Sequence, residues 1–199
     1  MNLRLLFRKI YCWFKYNRDN KNFNPSIISA NCIGGVVYHD MKLRFFSPTV
    51  NLYILPSDFV KLCSNLEFYL NQNLRFFKSE VNCPTAMCGD ITIYFLHYKS
   101  EKQAEEKWNE RRLRINYDNL YFIMTDRDGC KYEDLQAFDK LTCCKNKVVF
   151  TSKYYPEISS SFYMKKFKND NQIGIITALR KNSYKRDLDE FNWREFLNI

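Results

Sequence analysis

The chain has 199 residues, a formal net charge of +9, 46% hydrophobic and 17% aromatic residues, and only five Gly and five Pro. This length and composition are typical of one folded domain and exclude collagen, low-complexity linkers and disordered acidic tails. The excess of Lys and Arg favours anionic partners, either phospholipid surfaces or phosphorylated small molecules. Because no RNA-binding aromatic signature or zinc-finger spacing accompanies the charge, we expect no nucleic-acid partner.

Residues 3–16 have the pattern of a basic amphipathic helix. Apolar residues recur there at helical spacing, with Arg4, Arg8 and Lys15 elsewhere around the helix. Such a helix suits peripheral contact with the inner face of an anionic membrane, and the alternative is packing on the domain or on a second copy of the chain. We expect residues 1–22 to form this helix and a polar linker, and residues 23–199 to form a single α/β domain.

The expected location is the cytoplasm. The first residues interrupt their apolar run with Arg8 and Lys9 and offer no small-residue cleavage site, unlike a secretory signal peptide. The eight Cys are therefore expected to be reduced thiols. Since neither Cys-x-x-Cys nor a Cys/His tetrad is present, we expect no zinc site.

Beyond residue 25 the predicted strands and helices alternate. In chain order, strands are predicted at 26–30, 91–96, 120–124 and 148–151, with a weaker one at 173–177. Helices are predicted from Ser57, from the capping pair Ser100 and Gln103, over 132–141 and near 188–198. Strands that are almost continuously apolar argue for an α/β fold, with a mainly parallel, Rossmann-like sheet covered by helices on both faces.

Polar side chains follow the predicted strands at the places where open α/β sheets bind ligands. We expect these residues to share one site, although loops after strands are polar in any protein. In chain order they are Asn31, Cys32, Gly34 and Gly35, then His97 and Lys99, then Asp126, Arg127 and Asp128, and finally Ser152 and Lys153.

The segment from Asn31 to Gly35 lacks the spacing of a dinucleotide fingerprint or a phosphate-binding loop. Its paired glycines permit close backbone approach to a ligand or form a tight turn. Cys32 would be a candidate nucleophile if His97 lay beside it, and an inert buried thiol otherwise. A Cys32-dependent hydrolase or acyltransferase is therefore one alternative function.

The sequence Asp126-Arg127-Asp128 resembles the Asp-x-Asp element of metal-dependent glycosyltransferases, whose carboxylates hold Mg²⁺ or Mn²⁺. The same pattern occurs at 187–189 without a preceding strand, and the alternative is a capped loop and turn. Arg111 projects from the apolar stripe of its predicted helix, where a cation needs an anionic partner. That partner is either Asp126 or Asp128, or a ligand, and the alternative is that the guanidinium extends to solvent past Trp108.

Six short motifs occur in order between residues 26 and 170. They are Ile-Ile-Ser-Ala-Asn-Cys-Ile-Gly-Gly, Phe-Ser-Pro-Thr-Val-Asn-Leu, His-Tyr-Lys-Ser, Lys-Trp-Asn-Glu-Arg-Arg, Thr-Asp-Arg-Asp-Gly-Cys and Phe-Thr-Ser-Lys. This succession resembles domain-of-unknown-function family 1919, whose members are commonly labelled exopolysaccharide biosynthesis proteins. The resemblance implies an α/β domain and a bacterial capsule or exopolysaccharide context, and it implies no catalytic residue.

We therefore expect a transferase of bacterial exopolysaccharide or capsule assembly that uses a nucleotide-sugar donor and a glycan acceptor. Asp126 and Asp128 would hold Mg²⁺ or Mn²⁺, and His97 would act as general base. The expected substrate-binding residues are Asn31, Cys32, Gly34, Gly35, Lys99, Arg111, Arg127 and Lys153. The alternative is a non-enzymatic binding or scaffolding module of the same machinery.

Overall fold

Two β-sheets with helices packed around them make up the computed structural model, which describes residues 3–16 and 24–198. The helices are α1 Leu3–Tyr16, α2 Ile33–Asp40, α3 Pro56–Ser64, α4 Leu66–Leu70, α5 Glu101–Arg112, α6 Tyr132–Asp139 and α7 Trp193–Phe196. The strands are β1 Ser26–Ser29, β2 Leu74–Phe77, β3 Thr85–Cys88, β4 Ile91–Tyr94, β5 Leu120–Thr125, β6 Asn146–Thr151 and β7 Ser161–Tyr163. Most of the predicted linker and the predicted boundary after residue 22 lie outside the described residues.

Four strands form a parallel sheet in the order β1–β5–β6–β7. Both faces of this sheet are covered, which explains why its strands are almost continuously apolar. Ile28 and Phe122 pack in one core with residues of α3, α5 and α6. Ile27 and Tyr121 pack in the opposite core with residues of α1, α2 and the C-terminal segment. The predicted strands at 26–30, 120–124 and 148–151 and the helices on both faces are thus confirmed.

The predicted strand at 91–96 is present as β4, but it lies in a second, antiparallel sheet of order β2–β3–β4. The expectation of one mainly parallel sheet does not extend to this strand, because hydrophobic pattern does not report strand direction. Gly89 and Asp90 connect β3 to β4, and Gly89 has φ 62°, as short hairpin turns require. The fold is therefore a mixed α/β fold.

A short extended segment connects the two sheets. The backbone N–H of Tyr53 donates to the carbonyl of Tyr94 at 2.8 Å, and the N–H of Tyr94 donates back at 3.0 Å. The next residue, Ile54, donates its N–H to the carbonyl of Ala30 at 2.9 Å, directly beyond β1. The end of β4 is thereby held beside the end of β1.

The helix predictions are met to different degrees. Helix α5 has the predicted start, since Ser100 Oγ accepts from the N–H of Gln103 at 3.2 Å. The helix predicted from Ser57 is divided at Asn65 into α3 and α4. The helix predicted near 188–198 is replaced by a 3₁₀ turn at Asp187–Glu190 and the short helix α7. The weaker strand predicted at 173–177 is not a strand. No helix in the described part of the chain is both long and apolar enough to cross a bilayer.

Candidate functional site

A cavity of about 600 Å³ opens where the chain leaves β1, β4 and β5. Cavities of this size are typical of small-molecule sites, and they occur at this end of parallel strands. Its lining consists of Asn31, Cys32, Ile33, Tyr53, Leu55, Leu96, His97, Thr125, Arg127, Asp128 and residues 173–177. The structure thus brings five of the predicted site residues together: Asn31, Cys32, His97, Arg127 and Asp128.

Asn31 connects the ends of two neighbouring strands, β1 and β5. Its Nδ2 donates to Thr125 Oγ1 at 3.2 Å, and its Oδ1 accepts from the backbone N–H of Ile33 at 3.2 Å. The second contact occupies the backbone N–H of the first residue of α2. Because helix N-termini carry partial positive charge, α2 presents a favourable end to an anionic group in the cavity.

Arg127 is the cation of the lining. Its Nε is buried and has no hydrogen-bond partner among the described residues, although 28% of the side chain is exposed. Among the described residues, the guanidinium forms its closest ion-pair contact with the carboxylate of Asp128, at 3.9 Å. A guanidinium held this loosely keeps its donors available for a carboxylate or phosphate. Asp128 itself has φ 59°, a left-handed turn conformation that Asp tolerates.

His97 and Cys32 both line the cavity, but they do not form a catalytic pair. No hydrogen bond joins the two side chains in the described part of the chain, and burial raises the pKa of the Cys32 thiol. A nucleophilic cysteine needs a lowered pKa, so the geometry argues against the Cys32-dependent alternative. His97 is exposed, and its backbone N–H donates to the carbonyl of Asn51 at 3.3 Å. Its imidazole is therefore open to a ligand.

Asp126 has a different position from the predicted one. Its carboxylate accepts from the N–H of Ser152 at 2.6 Å, from Ser152 Oγ at 2.7 Å and from the N–H of Ile173 at 2.8 Å. It does not line the cavity, and it fixes the segment at 173–177 against the end of β6. We correct its assignment from catalytic residue to a residue that positions one cavity wall.

The predicted metal site at Asp126 and Asp128 does not fit this geometry. The first carboxylate is engaged by three donors, and the second lies beside a guanidinium, so the pair does not present converging oxygen ligands for Mg²⁺ or Mn²⁺. The described residues contain no other group of three or more His, Cys, Asp and Glu side chains suited to a metal. These two carboxylates therefore do not form the predicted metal site.

Gly34 and Gly35 lie inside α2, and neither forms the predicted turn or lines the cavity. A Cβ on Gly34 would lie 2.9 Å from Ser29 Cβ and 3.2 Å from Ile27 Cγ2. A Cβ on Gly35 would lie 3.4 Å from Val50 Cγ1, which is ordinary contact. Gly34 therefore permits close packing of α2 on β1, and the ligand-binding assignment of both glycines is corrected.

Three predicted cations also lie outside the lining. Lys99 and Lys153 are exposed. Arg111 donates to Tyr98 Oη at 2.8 Å, and its guanidinium lies 5.3 Å from the ring centre of Phe45. The partners given for its guanidinium are aromatic side chains, so the structure places Arg111 away from Asp126, Asp128 and the cavity.

Much of the apolar lining was not predicted. Tyr53 stacks on Tyr94 with ring centres 4.3 Å apart, and burial raises its pKa. The wall at 173–177 includes Ile175, which is exposed although it is apolar. Ile175 lies on one lining with Tyr53, Leu55 and Leu96, and this apolar patch can be recognised only once the fold brings the segments together.

The comparisons with known proteins agree with the family resemblance. The family described as Domain of unknown function (DUF1919) matches residues 4–198. A Haemophilus influenzae (strain ATCC 51907 / DSM 11121 / KW20 / Rd) protein called "Uncharacterized protein" is 43% identical over 181 residues, covering 91% of this chain and 87% of the relative. Neither description contains the expected term exopolysaccharide biosynthesis. The match over nearly the whole length shows that the chain belongs to the family Domain of unknown function (DUF1919).

Proposed function

We propose that the chain is a metal-independent transferase that binds a phosphate-activated sugar in the cavity and transfers the sugar to an acceptor hydroxyl. The observation that carries the proposal is the buried Nε of Arg127, a donor without a partner among the described residues that belongs to a cavity-lining side chain. The placement of this reaction in surface-polysaccharide assembly rests on the resemblance alone.

The electrostatics of the lining support an anionic group at one end of the ligand. Arg127 supplies charged donors, and the start of α2 at Cys32 adds the positive end of a helix dipole. Phosphate suits this pair, because a guanidinium and helix N–H groups both donate to its oxygens.

The remaining lining supports a ring-shaped, hydroxyl-bearing portion. Tyr53, Leu55 and Ile175 provide aromatic and aliphatic contact surface. Asn31 and Asp128 provide amide and carboxylate groups that accept from sugar hydroxyls. A nucleotide-sugar combines these features: a phosphate, flat or puckered rings and several hydroxyls.

His97 is the proposed general base. It would take the proton of the acceptor hydroxyl while the oxygen attacks the anomeric carbon, and the bond from that carbon to the phosphate oxygen would break. Arg127 would stabilise the charge that develops on the departing phosphate. Histidine suits the proton transfer, since it exchanges a proton readily near neutral pH.

The test is to incubate the protein with uridine and guanosine diphosphate sugars in EDTA and to measure release of the nucleoside diphosphate with and without glycan acceptors. Wild type should release it, and His97→Gln should lower the rate about 100-fold or more while binding persists. His39→Gln is the matched control, because the His39 side chain is 75% exposed and does not line the cavity. Binding without release would instead assign the chain to the binding-module alternative.

A further inference from the structure

Helix α1 packs on the domain through a mixed face, while most of its large apolar side chains point away. Its buried residues are Arg8, Cys12 and Tyr16. Arg8 is 4% exposed, and its guanidinium forms ion pairs with Asp40 and Asp189. The inner face thus combines these ion pairs with Cys12 and Tyr16, which pack in the core beside the parallel sheet, whereas most of the larger apolar side chains of the helix lie elsewhere.

The apolar residues of α1 lie on the opposite side. At about 100° per residue from Leu3, the three buried residues centre near 180°, whereas Leu3, Ile10 and Phe14 lie within about 20° of 0°. Phe14 is 60% exposed and Trp13 is 49% exposed. Phe7 and Ile10 are exposed as well, so a continuous apolar stripe faces away from the domain.

Cations flank this stripe on both sides. Exposed Lys9 lies on one side at about 240°. On the other side, Arg4 donates to the carbonyl of Ser183, and the Lys185 ammonium lies 5.7 Å from the ring centre of Tyr11. The segment at 180–186 therefore runs beside α1, and neither this segment nor α1 contains an acidic residue.

We propose that this stripe, formed by Leu3, Phe7, Ile10, Trp13 and Phe14, docks on an anionic phospholipid bilayer. Aromatic and aliphatic side chains would enter the boundary between headgroups and acyl chains, and the flanking lysines would contact lipid phosphates. A second copy of the chain is the less favourable occupant, because pairing two such faces would bring cations against cations.

The arrangement separates anchoring from membrane contact. Because Arg8, Cys12 and Tyr16 hold α1 to the domain, the apolar side chains of the stripe are not needed for folding and remain available. Substitutions in the stripe should therefore change membrane binding without changing the thermal unfolding temperature.

Trp13 provides a built-in reporter. The other two tryptophans, Trp108 and Trp193, are 1% and 2% exposed, so a change in tryptophan emission on adding vesicles reports the environment of Trp13. Wild type should show a blue shift with vesicles of phosphatidylcholine and phosphatidylglycerol at 3:1, a weaker one with phosphatidylcholine alone, and a decrease with salt. The Trp13→Phe variant should lose the blue shift but still sediment with the anionic vesicles.

The decisive variant is Ile10→Ser with Phe14→Ser, which should weaken vesicle binding by about tenfold or more. Leu113→Ser with Tyr154→Ser is the matched control, because these residues are 84% and 70% exposed outside α1 and should leave binding unchanged. Wild type that stays in the supernatant with anionic vesicles, or equal binding by the stripe variant, would overturn the proposal. A wild-type dimer that the stripe variant dissociates would overturn it in favour of a second copy.

Discussion

The two neighbouring glycines of α2 should respond in opposite directions to the same substitution. Gly34→Ala places a Cβ 2.9 Å from Ser29 Cβ, so α2 must move away from β1. Overpacking of this kind costs about 1–3 kcal/mol, and replacing a helical glycine returns about 0.5–1 kcal/mol. The expected net loss is about 1–2 kcal/mol, which lowers the melting temperature by about 2–8 °C in a chain of this size.

Gly35→Ala is the matched control, since its Cβ meets Val50 Cγ1 at 3.4 Å and needs no movement. The helix-propensity gain then remains, and the melting temperature should rise by about 1–4 °C. Thermal unfolding followed by circular dichroism at 222 nm measures both variants, with urea titration as a second measure of the free energy of unfolding. Equal shifts, or a larger loss at Gly35, would refute the packing argument.

Three further predictions concern buried charge and thiols. Arg8→Gln removes the cation between two buried carboxylates and should lower the free energy of unfolding by about 3–5 kcal/mol. Substitution of the exposed Lys9 by Gln should lower it by less than about 0.5 kcal/mol, and similar melting temperatures of the two variants would contradict the role of Arg8. Asp126→Asn places an amide N–H against backbone donors and should lower the free energy of unfolding by about 1–3 kcal/mol. EDTA and Mn²⁺ should leave the wild-type melting temperature unchanged, and a Mn²⁺-dependent rise would restore the metal hypothesis. Burial raises the pKa of Cys12 and Cys130 from 9.0 to about 12, so above pH 9 the unfolded chain loses these protons first and stability falls as pH rises. Urea titrations at pH 7.5 and 10 measure this loss of unfolding free energy. The loss should be smaller when both cysteines are replaced by alanine, and an equal loss in wild type and the double variant would disprove the prediction.

Local sequence pattern was sufficient for β1, β5 and β6 of the parallel sheet and for α5, but it did not reveal β7. The runs at 26–30, 120–124 and 148–151 are apolar on both sides, and this feature depends only on burial of both sheet faces. The Ser100 and Gln103 capping pair depends on neighbouring residues alone. Pattern could not reveal the direction of β4, because the pairing partner of a strand is set by chain segments distant in sequence.

The location of the cavity could be predicted from the sequence, but the residues that line it could not. Asn31 and Arg127 follow strands that are neighbours in the sheet, so their meeting follows from topology. Asp126 and Asp128 are alike in sequence, and only the turn geometry turns the first toward Ser152 and leaves the second at the cavity. The role of Gly34 likewise depends on the distance between α2 and β1.

The most direct test of the cavity assignment is calorimetric titration of wild type and Arg127→Gln with the nucleoside diphosphate sugar that binds best. Loss of a charge-assisted contact should weaken binding by about tenfold or more. Arg75→Gln is the control, since Arg75 is exposed on β2 and does not line the cavity. The account predicts weakened binding for Arg127→Gln only; equal affinity of both variants and wild type would contradict it.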